Sequence, residues 1–282
     1  MLNHGKRNIM SKSSELLIIG GCSFGDPNYH GYIEHNVTPW PELIGKELDI
    51  ETLNLCKSGY SNDNIANSVM DAVIDNSDKK LTVMVLWTGP NRMNFFDYDS
   101  HVTGRYSKEN NQHLISQYIK ANNFWGFEFD KCATNFNLRI MWRLNEFMNN
   151  RNIEYYQAHS SSLINNIVWT LPFDRQLHIK GKDPLTEQEM EYQKERQQQL
   201  IDEIPHNRYY DKNFFTTQSF KSNMKWLPDQ TCHLSEEDTH PNEKGHQYIL
   251  ESFLVMKQSG TQVMSSDIIY DSDIRKTEFV YD

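Results

Sequence analysis

Apolar residues fall into short unbroken runs, separated by stretches in which they recur with helical spacing. Leu16-Leu17-Ile18-Ile19, closed by Gly20-Gly21, predicts a buried strand that runs into a tight turn. Pro41 to Leu48 has helical spacing with a proline suited to a first turn. Thr52 to Cys56 alternates as a short strand does. Asn62 to Ile74 places Ile65, Val69 and Ala72 on one helical face, with Asn62 or Asp63 as its cap. Leu81 to Trp87 is the strongest strand, continuous and β-branched, as a central parallel strand is. Ala133 to Asn149 is helical again, and Ile153 to Ala158 reads as the next strand. This rhythm predicts an α/β protein, a parallel sheet with helices on both faces.

The rhythm breaks from about 160 to 234. That segment holds a polar helical stretch, LTEQEMEYQKERQQQLIDEI, and an aromatic segment from Asn207 to Trp226. It is read as an insertion within one domain spanning 1–258. A last amphipathic helix runs from Pro241 to Met256, and 259–282 form a polar tail.

Composition narrows the classes. The 282 residues are 38% hydrophobic and 12% aromatic, enough for a sizeable core. The formal charge of -10 and the lack of a basic stripe argue against a nucleic-acid partner. Cys22, Cys56, Cys132 and Cys232 are scattered and read as reduced, mostly buried side chains. The N-terminal apolar run is too short for a secretory signal, and no run reaches membrane-spanning length. The expectation is a cytoplasmic protein, or a virion-associated one if the chain is of phage origin. His159, His178, His233 and His246 are too dispersed for a ligand set, so neither metal nor organic cofactor is expected. His246 reads as a last-helix residue near the loop it supports.

Four segments carry candidate chemistry. Gly20-Gly21-Cys22-Ser23-Phe24-Gly25-Asp26 puts a serine in a glycine-rich turn at the carboxyl end of a strand, where open α/β sheets bind ligands. Lys57-Ser58-Gly59-Tyr60-Ser61-Asn62 follows the second strand, and its glycine lets backbone approach a ligand closely. Thr88-Gly89-Pro90-Asn91-Arg92 ends the strongest strand with an amide that can serve as an oxyanion donor. Glu236-Glu237-Asp238-Thr239-His240-Pro241 sets carboxylates shortly before a histidine, in position to orient its ring. Each segment alone has an ordinary turn composition.

In this order, after these strands, they resemble the SGNH hydrolases, also called GDSL-like lipases and esterases. The resemblance covers about 16–98 and 234–256. It implies a flavodoxin-like three-layer α/β/α sandwich with a central parallel sheet, and an ester- or acetyl-cleaving enzyme. It also implies Ser23 as nucleophile, His240 as base, and Gly59 and Asn91 as oxyanion groups. The triad acid in that family usually stands three residues before the histidine, the place of Glu237. Asp238, two before, matches an Asp-x-His-Pro arrangement of divergent, phage-like members, and is preferred here with Glu237 as the substitute. The family's Gly-Asp-Ser opening is Gly-Cys-Ser in this chain, and Arg92 stands where an acid often follows.

The expected partner is a small-molecule or carbohydrate ester. The aromatic insertion (Tyr209, Tyr210, Phe214, Phe215, Trp226) suits an O-acetylated sugar better than a long acyl chain. Two other classes compete with the enzyme. One is a catalytically silent binding or structural module on the same fold, for example a virion component. The other is a nucleotide binder, which the absence of G-x-G-x-x-G spacing in GGCSFG disfavours.

Overall fold

The computed structural model describes residues 15–89, 127–160, 186–203, 206, 232–235, 238 and 240–259. Its strands are β1 (Glu15–Gly20), β2 (Glu51–Asn54), β3 (Lys80–Trp87) and β4 (Glu154–His159). Six helices stand among the described residues. They are α1 (His30–His35), α2 (Trp40–Leu48), α3 (Asn62–Asp75), α4 (Phe127–Asn149), α5 (Glu187–Glu203) and α6 (Glu243–Ser259).

The strands form one sheet in the order β2-β1-β3-β4, and every pairing is parallel. Unbroken apolar strands have this outcome, because a sheet covered on both sides leaves no position for water. Leu16 and Ile18 of β1 face one core with Val83, Val85, Trp87 and Tyr155, packed against α3 and α4 through Ile65, Val69, Met141 and Leu144. Leu17 and Ile19 face the other, with Met84, Leu86, Tyr156 and Ala158, under Trp40 and Ile44 of α2 and Ile249 and Phe253 of α6. The architecture is therefore α/β with helices on both faces. Trp40 stacks on Phe253 with centroids 4.8 Å apart, joining α2 to α6. The Trp40 backbone N–H also donates to His246 Nδ1 at 3.2 Å, which pins the last helix to the start of α2. Because all four strands run the same way, the turns after β1, β2 and β3 leave from one rim.

Several expectations shift in detail. Strand β2 ends at Asn54 rather than Cys56, because the Cys56 N–H turns out of the ladder to donate to the Asn54 side-chain oxygen at 3.0 Å. The cap of α3 is Ser61, whose hydroxyl accepts the Asn64 N–H; neither Asn62 nor Asp63 fills that place. Helix α6 starts at Glu243, since Pro241 is bridged to His233 and the Asn242 side chain accepts the Gly245 N–H at 3.1 Å as a cap. Helix α1 has no apolar periodicity behind it and was not expected. The predicted polar helix exists as α5, whereas the aromatic segment, His178 and 260–282 lie outside the described residues. Cys22, Cys56 and Cys232 are buried and unpaired. No helix among the described residues is long and apolar enough to cross a membrane.

Candidate active site

Ser23 sits in the turn that leaves β1, where the Gly25 N–H closes onto the Cys22 carbonyl at 3.1 Å. The turn lies directly on Cys56. A Cβ at Gly21 would stand 2.8 Å from the Cys56 sulfur, and one at Gly25 would stand 2.6 Å from it. Both positions accordingly need glycine for space. The Asn54 amide donates to the Gly25 carbonyl at 2.9 Å, so the end of β2 holds the Ser23 turn.

Asp26 joins this turn to the next. Its buried carboxylate accepts the Asn28 N–H at 2.9 Å and the Ser58 N–H at 2.6 Å. The loop after β2 then makes its own turn, with the Tyr60 N–H on the Lys57 carbonyl at 3.1 Å and Gly59 at φ 97°. A positive φ at the third residue of such a turn is the conformation that glycine adopts without strain. The Gly59 loop is thus held beside the Ser23 turn by a carboxylate.

The histidine arrives on a loop tied at its base. The Leu234 N–H donates to the His240 carbonyl at 2.9 Å, the Asn242 N–H to Cys232 at 2.9 Å, and the Asn242 amide to the His233 carbonyl at 2.8 Å. Within the loop, the Ser235 hydroxyl accepts the Asp238 N–H at 3.0 Å. His240 Nε2 lies 2.9 Å from Ser23 Oγ, bridging 217 positions of sequence. His240 Nδ1 lies 2.6 Å from Asp238 Oδ1, and the same oxygen accepts the His240 backbone N–H at 3.1 Å. That double use explains how an acid only two residues before the histidine reaches its ring: the carboxylate folds back in an Asx-type turn. Partial burial works against the Asp238 charge. Hydrogen bonds from Tyr29 and from the His240 backbone and ring outweigh it and hold the carboxyl below its ordinary range. An ionised Asp238 keeps the proton on Nδ1 and leaves Nε2 free to accept from the Ser23 hydroxyl.

Ser23, His240 and Asp238 are therefore brought together, and Gly59 lies on the neighbouring loop at the same rim. Asn91 and Glu237 lie outside the described residues. The stalk of the Asn91 segment is described and firmly held. The Asn62 amide donates to the Thr88 carbonyl at 3.0 Å, and its oxygen accepts the Thr88 N–H at 2.8 Å. No family model and no curated protein matches this chain.

Sequence reasoning missed Tyr29, Asp26 and Asn54. Tyr29 stacks on His240 with centroids 4.0 Å apart, and its hydroxyl donates to Asp238 Oδ2 at 2.8 Å. The one available signal was the glycine at 31, which has no helical or turn purpose. A Cβ there would stand 3.1 Å from Asp238 Oδ2 and 2.8 Å from the Tyr29 ring.

Two further histidines are buried without charge. Burial pulls His159 down to about 4 and His246 down to about 3, with the charge of His240 adding to the second. An unfolded histidine titrates near ~6.5. Below that pH the unfolded chain binds more protons than the folded one, so stability falls as the pH falls. Each of the two is expected to add a slope of up to ~1.4 kcal/mol per pH unit between about pH 6.5 and about pH 4. Urea unfolding across that window measures it, and His246→Gln should remove one share of the slope.

Proposed function

We propose that the protein is a serine hydrolase of the SGNH type that cleaves an ester through an acyl-enzyme on Ser23. The observation that carries this reading is the chain of contacts from Ser23 Oγ to His240 Nε2 at 2.9 Å and from His240 Nδ1 to Asp238 at 2.6 Å. A serine hydroxyl is a weak nucleophile until a neighbouring base takes its proton, and the base works best when a third group fixes its tautomer.

In this reaction Ser23 Oγ bonds to the ester carbonyl carbon as its proton passes to His240 Nε2. Asp238 stabilises the imidazolium. The carbonyl oxygen becomes an oxyanion, met by the N–H groups of Ser23 and Gly59 and by the Asn91 side chain that the family resemblance implies. The tetrahedral intermediate collapses, and the leaving alkoxide takes the proton from His240 and departs as an alcohol. Water then attacks the acyl-enzyme while His240 accepts its proton. The acid is released as the C–O bond to Ser23 breaks, and Ser23 Oγ takes the water-derived proton from the ring.

A fluorophosphonate probe tests the reading, because it bonds only to an activated serine. Labelling is expected on Ser23, located by peptide mass spectrometry, and absent from Ser23→Ala. A wild-type chain that stays unlabelled from pH 6 to pH 9 would instead support a silent binding module on the same fold.

A further inference from the structure

We propose that Tyr29 is a positioning residue for this site, holding the Asp238–His240 pair in the arrangement from which the imidazole reaches Ser23. The proposal rests on the hydrolase reading for its kinetic consequence, but its physical content is independent of turnover. Its own loop tethers Asp238 on one side: Oδ1 takes both the His240 backbone N–H at 3.1 Å and the ring Nδ1 at 2.6 Å. With the acid two residues from the histidine, that tether is short, and the Asp238 side chain is 28% exposed, so water competes for the other oxygen. The Tyr29 hydroxyl occupies Oδ2 at 2.8 Å and stops the carboxylate from turning about its own axis.

The ring of the same residue restrains the histidine. It lies 27° from parallel to the imidazole with centroids 4.0 Å apart, while Phe24 meets His240 edge-on at 5.2 Å and Tyr32 at 6.4 Å. An imidazole bounded in this way cannot swing off the line to Ser23, and an aromatic face against it favours the cation formed in the reaction. Tyr29 is itself fixed. Its carbonyl accepts the Tyr32 N–H at 3.0 Å and the Ile33 N–H at 3.2 Å at the start of α1. Its own N–H donates to the Asp26 carbonyl at 3.1 Å. Gly31 leaves room for the Tyr29 ring and the Asp238 carboxylate to meet. One short segment after the nucleophile turn thus bonds the acid and stacks on the base, and through Asp26 it also secures the Gly59 loop.

Tyr29→Phe removes the bond to Asp238 and keeps the stack; Tyr29→Leu removes both. With p-nitrophenyl acetate as probe, kcat is expected to fall about tenfold in the first and about a hundredfold in the second, KM staying within about twofold. The second readout needs no turnover. The low-field proton resonance of His240 Nδ1–H, assigned by its loss in His240→Gln, should broaden and move upfield in Tyr29→Phe while the Tm changes little. Unchanged kcat together with an unchanged Nδ1–H resonance in Tyr29→Phe would overturn the proposal. If the wild type hydrolyses no ester and takes no fluorophosphonate, the hydrolase reading fails. The Nδ1–H resonance then decides alone whether Tyr29 holds the pair: a shifted signal supports the proposal and an unmoved one sinks it.

Discussion

Ser23→Ala and His240→Ala are each expected to lower ester hydrolysis by about 10⁶-fold, and the double variant to fall no further. The reason is the sharing of one proton. Ser23 Oγ and His240 Nε2 stand 2.9 Å apart, and in the proposed reaction they act as a single base–nucleophile unit, so removing either member removes the whole device. Asp238→Asn is expected to cost about 10⁴-fold, because an amide presented to Nδ1 turns the proton onto the wrong ring nitrogen. Glu237→Ala should leave the rate within a few fold, since Asp238 already occupies Nδ1. The measurement is kcat/KM on p-nitrophenyl acetate for each variant, with circular dichroism to confirm that the fold persists. Losses that add in the double variant would mean that the two side chains act separately, and the contact between them would then have no catalytic meaning. A Glu237→Ala variant as damaged as Asp238→Asn would move the acid role to the neighbouring residue.

The strands were legible because nothing competes with them. Leu16 to Ile19 and Leu81 to Trp87 are apolar without interruption, and only a sheet covered on both faces buries such runs completely. Parallel pairing then fixes the site's location, since it brings the turns after β1, β2 and β3 to one rim. Ser23, Gly59 and His240 could be singled out because glycines after strands, and a carboxylate near a histidine, leave marks in the local sequence. Tyr29 left only the glycine at 31, and Asn62 left none that pointed to its role. Their partners are 209 and 26 positions away, and a tyrosine after a turn or an asparagine in the first turn of a helix has an ordinary local explanation. The local pattern offers Asn62 or Asp63 as the helix cap. Ser61 takes that place because its hydroxyl reaches the Asn64 N–H, which frees the Asn62 side chain for Thr88. The Cys22 position shows the same limit. An acid is missing directly before Ser23, while Asp26, three residues after it, is the buried carboxylate that holds the neighbouring loop.

Asn62→Leu is expected to be among the most destabilising substitutions outside the apolar core, at about 3–6 kcal/mol. The side chain is fully buried and makes three hydrogen bonds: to the Thr88 carbonyl at 3.0 Å, from the Thr88 N–H at 2.8 Å, and to Asn137 Oδ1 at 2.6 Å. Leucine keeps the branched shape with bulkier methyl groups and satisfies none of them. The Thr88 backbone groups then lose these bonds in the interior, where each such loss costs about 1–3 kcal/mol and water cannot replace the bond. Asn62→Asp tests the direction of the bonds. It keeps an acceptor for the Thr88 N–H but sets carboxylate oxygens against two acceptors, so it should destabilise at least as much as leucine and recover stability at low pH. The same contact links the start of α3, where the Gly59 loop ends, to the end of β3, where the Asn91 segment begins. Asn62→Leu should therefore lower kcat as well as stability, whereas truncation of an equally buried core residue such as Met148 should lower stability alone. Urea unfolding and kcat measured on the same samples separate the two effects. A leucine variant within about 1 kcal/mol of wild type would show that relaxation re-pairs Thr88, and the clasp between the two loops would then carry neither the fold nor the site.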